Sequence, residues 1–195
     1  MNNVNYSGSS CCFTINANNV NFTGNGHTIT GTGSANMYDT GICVDANYAR
    51  ITNLSISDFW YGVLSSSDNV FINDTFSGSL YGVDSSGSNN TFTNNSIIGN
   101  EYGFDIGGAG DTIANNTATG NYAIAFLLGG SNDNLTNNTI YNNAAGVYLE
   151  YISNSLVTKN TAYGNTGPGF DLYYYTTGNT LTNNTAYNDS PGFYS

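Results

Sequence analysis

The stretch "LTNNTIYNNAAGVYL" (Leu135–Leu149) holds the repeat unit of this chain. Apolar residues stand at Leu135, Ile140, Val147 and Leu149, with Asn-rich steps between them. Over these short pieces apolar and polar residues alternate, which is the period of a half-buried strand; helical spacing is absent. "LTNNT" recurs at Leu181–Thr185, and near-copies stand at Phe92–Ser96, Ile113–Thr117 and Val157–Thr161.

The apolar residues that open successive copies are Ile51, Phe71, Phe92, Ile113, Leu135, Val157 and Leu181, spaced by 20, 21, 21, 22, 22 and 24 residues. Three places later come Leu54, Asp74, Asn95, Asn116, Asn138, Asn160 and Asn184, and five places later an inward apolar residue from Ile56 to Ala186. Eight places later come Phe59, Ser79, Asn100, Asn121, Asn143, Asn165 and Asp189. A glycine then recurs from Gly62 to Gly192, broken at Ile124, and an apolar residue follows it, Ala125 in the exceptional coil. A unit of about 22 residues with two or three short strands cannot bury its own apolar face, but stacking one unit on the next does so. The expected fold is all-β: a right-handed parallel β-helix, a solenoid of about nine coils and roughly 45 Å in length at one strand spacing per coil. It is read as one domain over residues 1–195, with less regular coils over 1–46, where Phe13, Ile15, Ile42 and Val44 match the strand pattern, and seven regular repeats over 47–195. Residues Thr30–Thr40 read as a longer loop between coils.

"NVNFTGNGHTITG" (Asn19–Gly31), the preceding "SSCCFTINANNV" (Ser9–Val20) and units such as Asn137–Leu149 resemble the right-handed β-helix repeats of NosD-like and archaeal surface proteins. That resemblance spans nearly the whole chain. It implies the fold; its repeats serve enzymes, adhesins and passive scaffolds alike. It also implies a second cysteine near Gly24 to pair with the "CF" cysteine, where this chain has glycine.

Composition narrows the function. The net charge is −11, with Arg50 and Lys159 the only basic residues, which excludes nucleic acid and anionic membrane surfaces as partners. No apolar run approaches the ~20 residues of a membrane helix, so no membrane insertion is expected. The start, "MNNVNYSGSSCCF", does not read as a signal peptide. Cys11, Cys12 and Cys43 are an odd set, leaving at least one free thiol or an intermolecular bridge. The scarcity of lysine with abundant Asn, Ser and Thr leans towards an extracellular or cell-surface location.

Asn95, Asn116, Asn138, Asn160, Asn184, Asn100, Asn121, Asn143 and Asn165 are expected to form inward ladders that satisfy buried turn groups. Eleven Asn-x-Ser/Thr acceptors occur where chance pairing gives about 7.5. Six form an outward column: Asn53, Asn73, Asn94, Asn115, Asn137 and Asn183, with Lys159 breaking the run. Asn5, Asn21, Asn89 and Asn134 are further glycosylation candidates, and Asn188 is disfavoured by Pro191. Tyr141, Tyr163 and Tyr187 form an outward aromatic column, with Phe126, Tyr148, Tyr194 and Tyr173–Tyr175 as further outward aromatics. This surface reads as a stabilising stack or as a platform for sugars or a second chain. Asp84 and Asp105 share one outward column on adjacent coils at a spacing that suits a retaining glycosidase pair or a cation site. No basic residue joins them there, so neither catalysis nor a metal site is expected. His27 in "GNGHTI" reads as structural, and no cofactor is expected.

The function these features support is a structural extracellular β-helix bearing covalent N-glycans. The near-continuous register from the last coil into the first fits either a fragment of a longer solenoid or copies stacked head to tail into a filament. A carbohydrate-binding or polysaccharide-cleaving β-helix is the alternative. Ice binding through Thr93, Thr136, Thr158 and Thr182, interrupted at Ile72 and Ala114, is the weaker one.

Overall fold

A computed structural model describes residues 2–33 and 37–195. Part of the long loop expected at Thr30–Thr40, residues 34–36, lies outside them. The described residues form strands and turns with no helix. The strands fall into three parallel sheets that the chain visits in rotation, completing one turn of a solenoid every three strands. Sheet I holds nine strands from Val4–Asn5 to Thr185–Tyr187, sheet II nine from Cys11–Ile15 to Phe193–Tyr194, and sheet III eight from Asn21–Thr23 to Thr180–Thr182. The result is an all-β solenoid of about nine turns whose equivalent residues lie about 22 apart.

Each sheet sends a column of apolar side chains inward, and sheet II adds a second that includes Ile15, Val44, Ile106, Leu128 and Leu149. In sheet III, Ile51, Phe71, Phe92, Ile113, Leu135, Val157 and Leu181 stand in direct register. In sheet I the column runs from Ile29 and Ile56 through Phe76, Ile97, Ala118, Ile140 and Ala162 to Ala186. Sheet II supplies Phe13, Ile42, Val63, Val83, Phe104, Phe126, Val147 and Phe170. These columns meet in one continuous core. Phe71 stacks on Phe92 at 5.1 Å and Phe104 on Phe126 at 5.2 Å.

Two details of the sequence reading change. Tyr102 pairs with Ile124 and Phe104 with Phe126, so Ala125, not Ile124, occupies the glycine column. The reason is one extra residue: Phe104 follows Asn100 by four places, whereas Phe126 follows Asn121 by five. Phe126, read as an outward aromatic, is consequently fully buried. The glycine column exists because neighbouring coils touch there through backbone. A Cβ on Gly62 would stand 2.4 Å from the Gly82 carbonyl oxygen, and one on Gly103 2.3 Å from that of Ala125.

Cys11 and Cys43 form a disulfide with Cα atoms 5.8 Å apart, tying the first two strands of sheet II together on their outer side. This pairing differs from the one near Gly24 that the resemblance implied. Cys12 is a free, half-buried thiol whose pKa burial raises.

Candidate functional site

From Asp68–Asn69 onward the three corners of each coil follow one rule: a residue in the left-handed region comes first and a ladder residue second, whereas Ala49, Leu54 and Phe59 take the second place in the coil before. Asn94–Asn95, Gly99–Asn100 and Asn89–Asn90 are the three corners of consecutive turns, with φ of 58°, 63° and 59° at the first residue of each pair. Asn and Gly reach that region at little cost, which accounts for the Asn-Asn and Gly-Asn pairs.

In the corner between sheets III and I, the N–H of Asp74 donates to Oδ1 of Asn95 at 2.8 Å, and the chain of bonds continues through Asn116, Asn138, Asn160 and Asn184. The amides also donate backwards: Nδ2 of Asn95 reaches the Phe71 carbonyl and that of Asn116 the Phe92 carbonyl. The corner between sheets I and II repeats this through Ser79, Asn100, Asn121, Asn143, Asn165 and Asp189. A third ladder, not read from the sequence, runs through Asn69, Asn90, Asp111, Asp133, Ser155 and Asn179 between sheets II and III. Its members share an acceptor oxygen rather than a residue type, so identity-based columns pass over it.

The outward Asn column is the left-handed half of the first corner. Asn53, Asn73, Asn94, Asn115, Asn137 and Asn183 are exposed with φ between 54° and 58°, and Lys159 holds the same conformation at 58°. Nδ2 of Asn137 donates to Oδ1 of Asn115 at 2.6 Å. Asn89 and Asn188 are exposed left-handed corner residues as well, while Asn5 and Asn21 are exposed in strands. Asn134 is half-buried in a strand, its Oδ1 enclosed without a partner. His27 contacts the Asn3 side chain at 3.2 Å. Thr93, Thr136, Thr158 and Thr182 share one row of sheet III with Ile72 and Ala114.

The aromatic columns divide into two kinds. Tyr141, Tyr163 and Tyr187 stack at 5.1 Å with planes within 6°. Tyr61, Tyr81 and Tyr102, not read as a column from the sequence, stack at 5.2 and 5.0 Å on sheet II. Rings stacked on one another spend their faces on each other and offer solvent mainly edges and hydroxyls.

The other kind lies on the far margin of sheet II. Relative to the preceding strand, Ala145–Ser153 carries one extra residue: Leu149 and Ile152 pair with Leu128 and Gly130. This bulge turns out Tyr151, at φ 53°. The next coil adds Tyr174 and Tyr175 beside it, at φ 39° and 47°. Bulky side chains in the left-handed region are strained, and such strain concentrates where a surface is put to use. Tyr151 lies near-parallel to Tyr174 at 6.3 Å and to Tyr175 at 5.7 Å. All three are exposed, Tyr175 by 78%. Tyr173 packs on Tyr174 at 4.1 Å, and their hydrogen bond pushes the Tyr173 hydroxyl up to about 12.

Carboxylates line the sheet face next to these rings. Asp84 and Asp105 are in register on adjacent strands. Burial, followed by Asp84 and Glu150, pushes Asp105 up to about 6, and burial raises Asp84. Tyr81 and Glu150 belong to the same electrostatic group. A shallow cavity of about 230 Å³ joins Asp105, Leu127 and Glu150 to Tyr151, and another of about 290 Å³ flanks Asp84 and Leu64. Further along the column, Asp171 hydrogen-bonds Tyr148. Among the described residues no three metal-ligating side chains cluster. Arg50 and Lys159 stand away from this face, on sheet III and its corner with sheet I.

Residues 81–195, more than half of the sequence, match the family described as right handed beta helix region. The chain belongs to this right-handed β-helix family. Among solved structures, the β-helix is similar to tailspike protein 2 from Escherichia coli O157:H7 bacteriophage CAB120, at a TM-score of 0.60 and 10% identity over 95% of this chain and 35% of that one. It is also similar to the surface protein and adhesin PfbA of Streptococcus pneumoniae, at 0.54 and 14% identity over all of this chain and 67% of that one. Pectate lyase Pel9A aligns at 0.34 with 15% identity over 96% of this chain and 69% of that one, too low to carry argument. The β-helix thus spans about a third of the tailspike's length, and these identities speak for the fold alone. No curated protein matches the sequence.

Proposed function

We propose that this β-helix is a cell-surface or secreted module that binds an uncharged polysaccharide along the margin of sheet II. The observation that carries the reading is the set Tyr151, Tyr174 and Tyr175, exposed at positive φ, with Tyr151 beside Asp105 and Glu150. Open aromatic faces take the C–H side of a sugar ring, and neighbouring carboxylates accept its hydroxyl protons. The acidic face and the net charge of −11 repel acidic polymers, which selects against uronate- or phosphate-bearing chains. The Cys11–Cys43 disulfide supports an oxidising location.

A second reading, cleavage of the bound chain, is favoured by the Asp84–Asp105 pair, whose members sit in different environments. We favour binding without cleavage, because no cleft encloses the pair. A glycan array with neutral and acidic polysaccharides, followed by an assay for released reducing ends, tests both. Retention of neutral chains without new ends supports binding. New ends that vanish in Asp105→Asn support cleavage, and no retention at all overturns both. N-glycans on the left-handed Asn column and a filament of stacked copies are further parts of the surface reading. Intact mass before and after deglycosylation tests the first, and electron microscopy across concentrations tests the second.

A further inference from the structure

Two fully buried ladder positions carry the wrong side chain for their bonds, unless that side chain holds a proton. In the first corner, each ladder asparagine does two jobs. Its Oδ1 accepts from the preceding coil's backbone N–H, and its Nδ2 donates to a carbonyl two residues before that coil's left-handed residue, as from Asn95 to Phe71 and from Asn138 to Ile113. Asp74 fills the first role, with Oδ1 accepting from the Leu54 N–H at 2.9 Å. Its Oδ2 is buried with no partner, and by the pattern of the column a donor in its place would reach the Ile51 carbonyl.

Asp111 repeats the situation in the third ladder. Its Oδ1 accepts from the Asn90 N–H at 2.7 Å, and its Oδ2 is again buried without a partner. The neighbouring rung shows what belongs there: Nδ2 of Asn90 donates to the Gly87 carbonyl at 3.0 Å. Asp111 Oδ2 lies over Gly108, the counterpart of Gly87, close enough that a Cβ on that glycine would meet it at 2.7 Å. A carboxylate oxygen has nothing to donate, and an ionised one facing a carbonyl inside the core is costly. A carboxylic acid O–H donates as the amide N–H does.

We propose that Asp74 and Asp111 are held as neutral carboxylic acids in the folded solenoid, standing in for ladder asparagines, so that the stacking of coils is a proton-dependent lock. The surroundings agree. Asp74 faces Leu54 in the coil before and Asn95 in the coil after, neither charged. Asp111 faces Asn90 before and Asp133 after, and the Asp133 carboxyl adds repulsion that favours protonation. Burial is the leading cause that pushes both up to about 7. The sign follows from linkage: the folded carboxyls hold their protons more tightly than the unfolded ones at the ordinary 3.8. Stability is therefore full in acid, declines as pH rises above the unfolded value, and reaches its lower level once pH passes the folded value.

Thermal unfolding of the whole chain between about pH 5 and about pH 8 tests the lock, in the wild type and in a double variant, Asp74→Asn with Asp111→Asn. The wild-type midpoint is expected to fall across that range by several degrees. The variant is expected to melt higher than the wild type near pH 8, with a flatter profile. A wild-type midpoint that is constant or rises, or a variant that tracks it throughout, overturns the proposal. Infrared spectra of the folded wild type near pH 6.5 give a second readout that does not need the variant to fold. A protonated-carboxyl band is expected where exposed carboxylates are ionised, and its absence also overturns the proposal.

Discussion

At the scale of single residues, the corner rule explains choices that composition alone leaves open. Asn94 is needed first for its backbone, since it sits at φ 58°, and only incidentally opens a glycosylation acceptor. Asn94→Val places a β-branched residue in the left-handed region and is expected to cost about 1–2 kcal/mol, whereas Asn94→Gly is expected to be nearly neutral. Urea denaturation of the two variants separates the backbone requirement from any effect of removing a glycan, because both remove the acceptor. Gly62 has the opposite constraint: its conformation is ordinary, but the Gly82 carbonyl leaves no room for a side chain. Gly62→Val is expected to lose about 1–3 kcal/mol as the coils are forced apart, read in the same denaturation experiment.

At the scale of elements, the ladders and stacks hold one coil to the next. Asn138→Leu removes the acceptor for the buried N–H of Asn116 and the donor to the Ile113 carbonyl. It is expected to cost about 2–4 kcal/mol, because two buried backbone groups lose partners. Hydrogen exchange should show the loss first at the Asn116 amide and its neighbours. The columns that define these elements were legible in the sequence because stacking imposes the same need on every turn. Phe71, Phe92 and Ile113 recur for one reason, and Asn95, Asn116 and Asn138 for another. The third ladder was not legible because Asn90, Asp111 and Ser155 supply the same acceptor oxygen from three different side chains. The register of Ile124 slipped because one inserted residue moves the next few positions of that coil without changing the composition.

At the scale of the whole molecule, a regular solenoid offers the same surface on each turn, and the proposed binding surface lies where regularity fails. The lengthening of the last spacing to 24 residues was the trace of this in the sequence. It marks the coil that contains Tyr174 and Tyr175. What the sequence did not disclose is that the inserted residues, with the bulge at Tyr151, gather three exposed rings, of which Tyr151 borders Asp105 and Glu150 on sheet II. That depends on which way a bulge turns a side chain, and periodicity carries no such information. The stacked Tyr163, whose faces are covered by Tyr141 and Tyr187, is the natural control. Titration calorimetry of a neutral polysaccharide against the wild type, Tyr175→Ala and Tyr163→Ala tests the central claim most directly. The account predicts that Tyr175→Ala weakens binding roughly tenfold, about 1.4 kcal/mol, while Tyr163→Ala binds as the wild type does. Equal affinity for all three proteins, or binding only of acidic polymers, would contradict it.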